Sequence, residues 1–231
     1  MQRKKIAVIG IGSFGKLFVR YLFEDGHEVI AIDKDITVID SIKDYVTVAV
    51  ALDATDEHAL RSQGIGDVDY AVIALADDFE TSIICADSLK KSGVKNIFAR
   101  YQTELQKKVL ELLGIQDLFN PEEKAAKSMA ETLSFVGMRS SFLLSDEYSV
   151  VEVSVPKRYI NLTIAEADLR HKYNINIITI KRPSVNKDAK RASDIKSEKI
   201  LGIPQGNTVL REDDIVVLFG SQVDLSKFLE T

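Results

Sequence analysis

The chain of 231 residues holds a single cysteine, Cys85, so no disulfide can close within it, and this fits a reducing compartment. Positive charge is also scarce: 30 Lys and Arg against 35 Asp and Glu leave a formal net charge of −5. A nucleic-acid-binding face needs a surplus of cations to meet the phosphate backbone, and no basic stripe occurs, which argues against that class. Apolar runs are short, none approaching the ~18 residues of a membrane span. The basic start Met1-Gln2-Arg3-Lys4-Lys5 leads into an apolar run only a strand long, broken by glycines, unlike a signal peptide. No internal repeat and no low-complexity tract interrupts the chain. Histidines number 3, and His27, His58 and His171 fall at a strand start and on two polar helix faces. No Tyr-x-x-x-Lys occurs, so a dehydrogenase's tuned proton donor is not visible. Cys85, between Ile84 and Ala86 in a helical run, reads as a buried small hydrophobe, not a nucleophile.

What is present begins at Lys5. Lys5 to Gly10 is a short apolar run with Ile6, Val8 and Ile9, followed at once by Gly10-Ile11-Gly12-Ser13-Phe14-Gly15. From Phe14 on, Leu17, Phe18, Tyr21 and Leu22 recur at helical spacing, Gly26 stops the helix, His27 to Ile32 forms a second apolar strand, and Asp33 closes it. This strand, glycine turn, helix, strand and acid are the dinucleotide-binding fingerprint in its proper context. Gly10 permits the tight turn, Gly12 lets a pyrophosphate approach the backbone, and Gly15 lets the helix pack on the strand. The helix N-terminus offers its free N–H groups to phosphate. Asp33 would accept ribose hydroxyls and repel a 2′-phosphate, favouring NAD or an adenine nucleotide over NADP. The bland alternative is glycines that serve turn and packing alone, with Asp33 capping the next helix.

Strand and helix then alternate through a strand Val46 to Leu52, a helix Asp56 to Gln63, a strand Asp69 to Leu75, a helix Phe79 to Lys91, a strand Lys95 to Ala99, a helix Glu104 to Leu113 and a strand Asp117 to Phe119. Near-continuous apolar strands in alternation with helices predict a Rossmann-like doubly wound parallel sheet. Asp33, Asp53, Asp77, Asp78 and Arg100 fall at or just past the carboxyl ends of strands, the edge that carries the crevice in such sheets. Asp53 is a candidate for the adenine or ribose edge and Arg100 for a phosphate or a partner subunit. Lys34, Ala54, Thr55 and Ala74 lie beside them, with Ser13 and Phe14 in the glycine turn. For each acid a helix cap is the competing reading.

Asn120-Pro121-Glu122-Glu123 opens a further helix by the grammar of cap, first-turn proline and acid. Its stripe Ala126, Met129, Ala130 and Leu133 suits either a second chain or the sheet's own edge. The character changes near Ser140. Tyr148 to Val155 alternates as a half-buried strand, Thr163 to His171 reads as one short helix, and Ile175 to Ile180 as a strand. Arg182 to Lys199 reads as a charged loop, Ile215 to Phe219 as a final strand and Val223 to Leu229 as a final helix. The expected organisation is residues 1–137 as a nucleotide-binding domain with crossover helix, and 138–231 as a small α/β domain.

The order of these features resembles the regulatory subunit of bacterial Trk/Ktr potassium-uptake systems, built from N-terminal and C-terminal RCK domains (regulator of potassium conductance). The resemblance covers essentially the full length. It rests on Ala7-Val8-Ile9-Gly10-Ile11-Gly12-Ser13-Phe14-Gly15 with Asp33, Asp53-Ala54-Thr55, Val72-Ile73-Ala74, Ala99-Arg100, Asn120-Pro121-Glu122, Leu162 to Ile180, and Asp213-Asp214-Ile215-Val216-Val217. It implies no enzyme. It implies a cytoplasmic protein, peripheral on the inner face of the membrane, assembled as dimers into a ring, typically an octamer, beneath a potassium-translocating membrane subunit. Nucleotide in the first domain would reshape the ring, with ATP against ADP in the Ktr branch and NAD or NADH also bound in the Trk branch. Ser13 stands where the Ktr branch often has arginine, and Leu52 where the family usually has glycine or asparagine. By the same resemblance Glu122 would meet its counterpart from a neighbouring subunit around Mg²⁺ or Ca²⁺. Arg170, Ile175, Asn176 and Ile177, with Pro204, would bind cyclic di-AMP at a two-fold interface. The rival classes are an NAD-dependent oxidoreductase and a redox sensor.

Overall fold

The computed structural model describes residues 2–75, 78–134, 137–145, 147–185 and 196–230. By its internal contacts the chain divides into two compact units, Met1–Pro121 and Glu122–Thr231. The helix that starts at Pro121 therefore falls almost wholly with the second unit, not with the first as the sequence organisation suggested.

In the first unit β1 (Lys5–Ile9), α1 (Ser13–Glu24), β2 (Glu28–Asp33), α2 (Ile36–Asp40), β3 (Val48–Ala51), α3 (Glu57–Ser62), β4 (Tyr70–Ile73), α4 (Phe79–Lys91), β5 (Ile97–Arg100), α5 (Glu104–Leu112) and β6 (Asp117–Phe119) alternate. The strands pair in parallel in the order β3-β2-β1-β4-β5-β6, so the winding reverses between β1 and β4. Unbroken apolar strands are required here because both sheet faces are covered. Ala7, Ile9, Ile30, Ile32, Ala71 and Ile73 point into one core with α4's Cys85 and Leu89. Ile6, Val8, Val29, Ala31 and Val72 point into the other with α1's Val19. Each large aliphatic side chain so buried contributes ~1.5–3 kcal/mol. The strands are shorter than the apolar runs that announced them, and the leftover residues Leu52, Ala74 and Leu75 form loop at the carboxyl edge.

The second unit contains α6 (Pro121–Ser134), β7 (Met138–Leu143), β8 (Tyr148–Ser154), α7 (Ile164–Ala167), α8 (Leu169–Tyr173), β9 (Asn176–Val185), β10 (Lys196–Ile200), β11 (Ile215–Ser221) and α9 (Gln222–Glu230). Five strands form an antiparallel sheet in the order β10-β9-β11-β8-β7. The alternation read in β8 is borne out, with Val151 and Val153 buried among Leu169, Ile180, Leu218, Leu225 and Phe228.

Three features depart from the sequence reading. Met138–Leu143, for which the sequence predicts no element, is the edge strand β7; its mostly exposed, serine-containing face hides the period of two. Arg182 to Lys199, read as a loop, opens and closes as strand: Arg182 pairs with Lys199 and Pro183 with Glu198, while residues 186–195 lie outside the described part. Pro183 is tolerated because β11 pairs with β9 only as far as Lys181, leaving that side of β9 without a ladder to break. The expected helix Thr163 to His171 is broken in two at Asp168, which takes a left-handed φ of 50°. Arg182 is held by Asp214, which is 1% exposed. Its Nε and Nη2 donate to the two carboxylate oxygens at 2.7 Å each, and Nη2 also donates to the Val209 carbonyl at 2.9 Å. Among the described residues no helix is long and apolar enough to cross a membrane.

Candidate functional site

At the carboxyl edge of the first sheet, where the winding reverses, lies a cavity of about 260 Å³. Its floor is the glycine turn, Ile9, Gly10 and Gly12, and its walls come from the ends of β2, β3 and β4: Asp33 and Lys34, Leu52 to Ala54, and Leu75, Asp78 and Thr81.

The glycines divide the work as their spacing predicts. Gly10 sits at φ +90°, and a Cβ there would stand 2.8 Å from Leu75 Cδ2. A Cβ on Gly15 would collide with the Gly10 carbonyl oxygen, so only glycine lets α1 lie this close to β1. A Cβ on Gly12 would meet nothing within 4 Å: the space in front of it is open. α1 starts directly after Gly12 with no side-chain cap and no acid in its first turn. The next helices differ, for Asp35, Asp56, Asp78 and Thr103 each accept N–H bonds at the starts of α2, α3, α4 and α5. The first N–H groups of an α-helix have no partner within it, so α1 alone of these five presents its amides uncapped to the cavity edge.

The carboxylates are held by short bonds. Asp33 Oδ2 accepts the Ile11 N–H at 2.7 Å and Oδ1 the Asp35 N–H at 3.0 Å, tying the end of β2 to the glycine turn. Asp53 Oδ1 accepts both the Thr55 N–H at 2.9 Å and the Thr55 hydroxyl at 2.7 Å, and these bonds hold its pKa below the usual carboxylate value. Asp78 accepts the Thr81 hydroxyl at 2.5 Å and the Thr81 N–H at 2.9 Å, with the same downward effect. The Lys34 ammonium adds a smaller downward pull on both Asp53 and Asp78.

Of the residues singled out by sequence, Gly10, Gly12, Asp33, Lys34, Asp53 and Ala54 line the cavity together. Ser13, Phe14 and Gly15 lead α1 behind it. Phe14 stacks on Phe18 and leans on Phe119, with the Arg100 guanidinium 5.8 Å above its ring. Thr55 stands behind Asp53, and Ala74 is buried with its N–H bonded to the Ile9 carbonyl at 2.7 Å. Asp77 lies outside the described residues. Ile9, Leu75 and Thr81 were not among the predicted site residues. The first two look like ordinary strand apolars, while Asp78-x-x-Thr81 carries a capping signal that could have found Thr81. Cys85 is fully buried and its thiol is pushed up to about 12 by burial, so no reactive thiolate exists there.

Glu122 is exposed in the first turn of α6, and among the described residues no group of three or more His, Cys, Asp or Glu could hold a metal within one chain. In the second unit Arg170 is exposed on α8 and its Nε donates to Asn176 Oδ1 at 2.8 Å. Asn174, at φ 56°, makes the turn from α8 to β9 between them. Ile177 is half-buried, but Ile175, predicted to cover a ligand, is 1% exposed and packs in the core against Gly220. That expectation is corrected: the apolar side chain open to solvent nearby is Ile178, 43% exposed.

Residues 6–121 match the TrkA-N domain and residues 149–231 the TrkA-C domain. Over 226 residues the chain is 31% identical to the Ktr system potassium uptake protein C of Bacillus subtilis (strain 168), covering 98% of this chain and 96% of that one. The chain belongs to the TrkA/Ktr family of potassium-uptake proteins. Ktr system potassium uptake protein A of the same organism is 30% identical, covering 99% and 96%. Among solved structures, the GsuK channel bound to NAD superposes with a TM-score of 0.62 at 18% identity, covering all of this chain and 40% of the channel chain. At that identity it shows the shared fold.

Proposed function

We propose that this TrkA/Ktr family member is the nucleotide-binding regulatory subunit of a potassium-uptake system. The observation that carries the reading is the cavity at the winding reversal, with an open Gly12, an uncapped helix N-terminus for phosphate and an acid at the end of β2 for ribose. Support comes from relatives that are potassium uptake proteins over nearly their whole lengths. The ligand is ATP or ADP, or NAD(H), held by Gly10, Gly12, Asp33 and Lys34, with Arg100 as a further phosphate contact. The chain works in the cytoplasm as a ring of dimers beneath a membrane potassium-translocating subunit, and nucleotide exchange alters the ring. It transmits binding and catalyses no reaction. Glu122 from two neighbouring chains brackets Mg²⁺ or Ca²⁺ beside the terminal phosphate, since two carboxylates and a phosphate repel without a cation between them. Cyclic di-AMP occupies a second, two-fold site built on Arg170, Asn176 and Ile177.

Calorimetric titration of the full chain with ADP, ATP and NADH tests the first site. Asp33→Ala removes charge-assisted hydrogen bonds worth ~1.5–3 kcal/mol each, so affinity is expected to fall more than about tenfold. An unchanged dissociation constant defeats the assignment. Repeating the ATP titration with and without Mg²⁺ or Ca²⁺ on Glu122→Gln tests the bridge: the divalent dependence should vanish, and its survival removes Glu122 from the site.

A further inference from the structure

We propose that Asp78 limits how many phosphates the cavity takes, so that without a divalent cation a nucleoside diphosphate binds more tightly than the triphosphate; this rests on the nucleotide reading above. The placement follows from the sheet. β1 and β4 are neighbours across the winding reversal, paired in parallel as far as Ile9 and Ile73, and neighbouring strands lie ~4.8 Å apart. The starts of α1 and α4 therefore open on the same crevice. Past the strand end the Ala74 N–H donates to the Ile9 carbonyl and Leu75 packs on Gly10, which keeps the chain after β4 beside the glycine turn. Asp78, the N-cap of α4, lines the cavity together with Gly10 and Gly12.

The two helix starts carry opposite signs. At α1 the first N–H groups are uncapped and no acid stands in the first turn, which suits an anion. At α4 the Asp78 carboxylate already holds that place, accepting the Thr81 N–H and hydroxyl, and Glu80 adds a second acid to the turn. Those bonds favour the ionised form of Asp78. Two open helix starts could share a run of phosphates between them; here one is closed. The rest of the lining adds to the asymmetry. Asp33, Asp53 and Asp78 set three carboxylates around the cavity, against Lys34 as the one cation among the described residues that line it. Backbone amides at α1 answer the charge of a pyrophosphate. A third phosphate extends past them and brings more negative charge into a lining that already has an excess of it. A divalent cation on the phosphates offsets that charge, so the discrimination belongs to the metal-free nucleotide.

The test titrates the full chain with ADP and ATP in EDTA at low salt. ADP should bind about tenfold more tightly, the effect of one added charge about 10 Å from another at an effective dielectric of about 20. Asp78→Asn removes the charge and keeps the cap, since Asn serves at that position as well as Asp. It should narrow the ADP to ATP ratio at least about fivefold, chiefly by tightening ATP. Glu80→Gln removes the same charge from the same turn but outside the cavity lining, and should move the ratio less than about twofold. An unchanged melting temperature in both variants reports that α4 keeps its start. ATP binding as tightly as ADP, a ratio unmoved by Asp78→Asn, or one moved equally by Glu80→Gln overturns this inference alone, because the cavity would still hold a nucleotide. Failure of both nucleotides to bind the unaltered chain overturns the nucleotide reading and this inference with it.

Discussion

The two candidate ligand sites are built on opposite plans. In the first unit the cavity is concave, lined by residues of one chain and shaped by backbone: glycines that admit close approach, and caps on α2 to α5 but none on α1, where phosphate is expected. In the second unit Arg170 is exposed while Asn176 and Ile177 are half-buried at the surface, and the polar pair among them is already bonded to itself. A concave site encloses most of its ligand within one chain. An exposed half-site needs a second copy to close over the ligand, and a two-fold axis supplies the identical other half. The difference makes the first site a question of fit and the second a question of assembly.

The largest expected effect probes whether the units stand independently. Asp214→Ala leaves the Arg182 guanidinium without its carboxylate in a mostly buried place, where the paired side chains are 20% and 0% exposed. Removing one partner of such a pair costs ~3–5 kcal/mol, towards the lower figure here because Arg182 keeps some solvent and its bond to the Val209 carbonyl. Scanning calorimetry should show the second unit melting well below its normal temperature while ADP affinity is retained. Equal losses in both would mean that the first site depends on the second unit.

A smaller effect separates fit from fold inside the first site. Gly15→Ala drives a Cβ into the Gly10 carbonyl oxygen and should cost ~1–3 kcal/mol of stability together with nucleotide binding. Gly12→Ala adds a Cβ in open space, so the melting temperature should stay put while ADP affinity falls more than about tenfold, the methyl standing where phosphate must approach. If Gly12→Ala binds normally, the phosphate lies elsewhere and the fingerprint serves turn geometry alone.

The first unit was legible because each of its signals was local. Gly10, Gly12 and Gly15 announce backbone requirements, and a parallel sheet covered on both faces shows itself as plain apolar runs. What stayed hidden depends on contacts distant in sequence. Leu75 becomes cavity wall only because Gly10 turns beneath it, and Arg182 reads as loop until Asp214, far along the chain, neutralises it inside the second unit. Ile175 was misplaced for a related reason. It borders a polar cluster in sequence, but Asn174 turns the chain at positive φ and sends Ile175 against Gly220 in the core. The strand β7 escaped notice because an edge strand with one wet face carries little of the apolar excess that marks its neighbours.

A small change in stability also belongs to the prediction that tests assembly. Arg170→Ala removes one exposed hydrogen bond, to Asn176, and should shift folding stability by no more than about 1 kcal/mol. Its effect on ligand should be out of proportion to that cost. Each Arg170 of a two-fold pair would face one phosphate of cyclic di-AMP, so the substitution removes two charge-assisted contacts per ligand at once, and affinity should fall by at least about a hundredfold. Asn176 Oδ1 now accepts from Arg170 Nε, which orients the guanidinium from behind and leaves its other nitrogens for phosphate. Asn176→Ala should therefore weaken binding less than Arg170→Ala does. Titration of the full chain should saturate at one ligand for every two chains, as a site on a two-fold axis requires. One ligand per chain would place the site away from the axis. No heat at high ligand concentration would leave Arg170, His171 and Lys172 as cations that complement the end of α8, and the second unit without a ligand of its own.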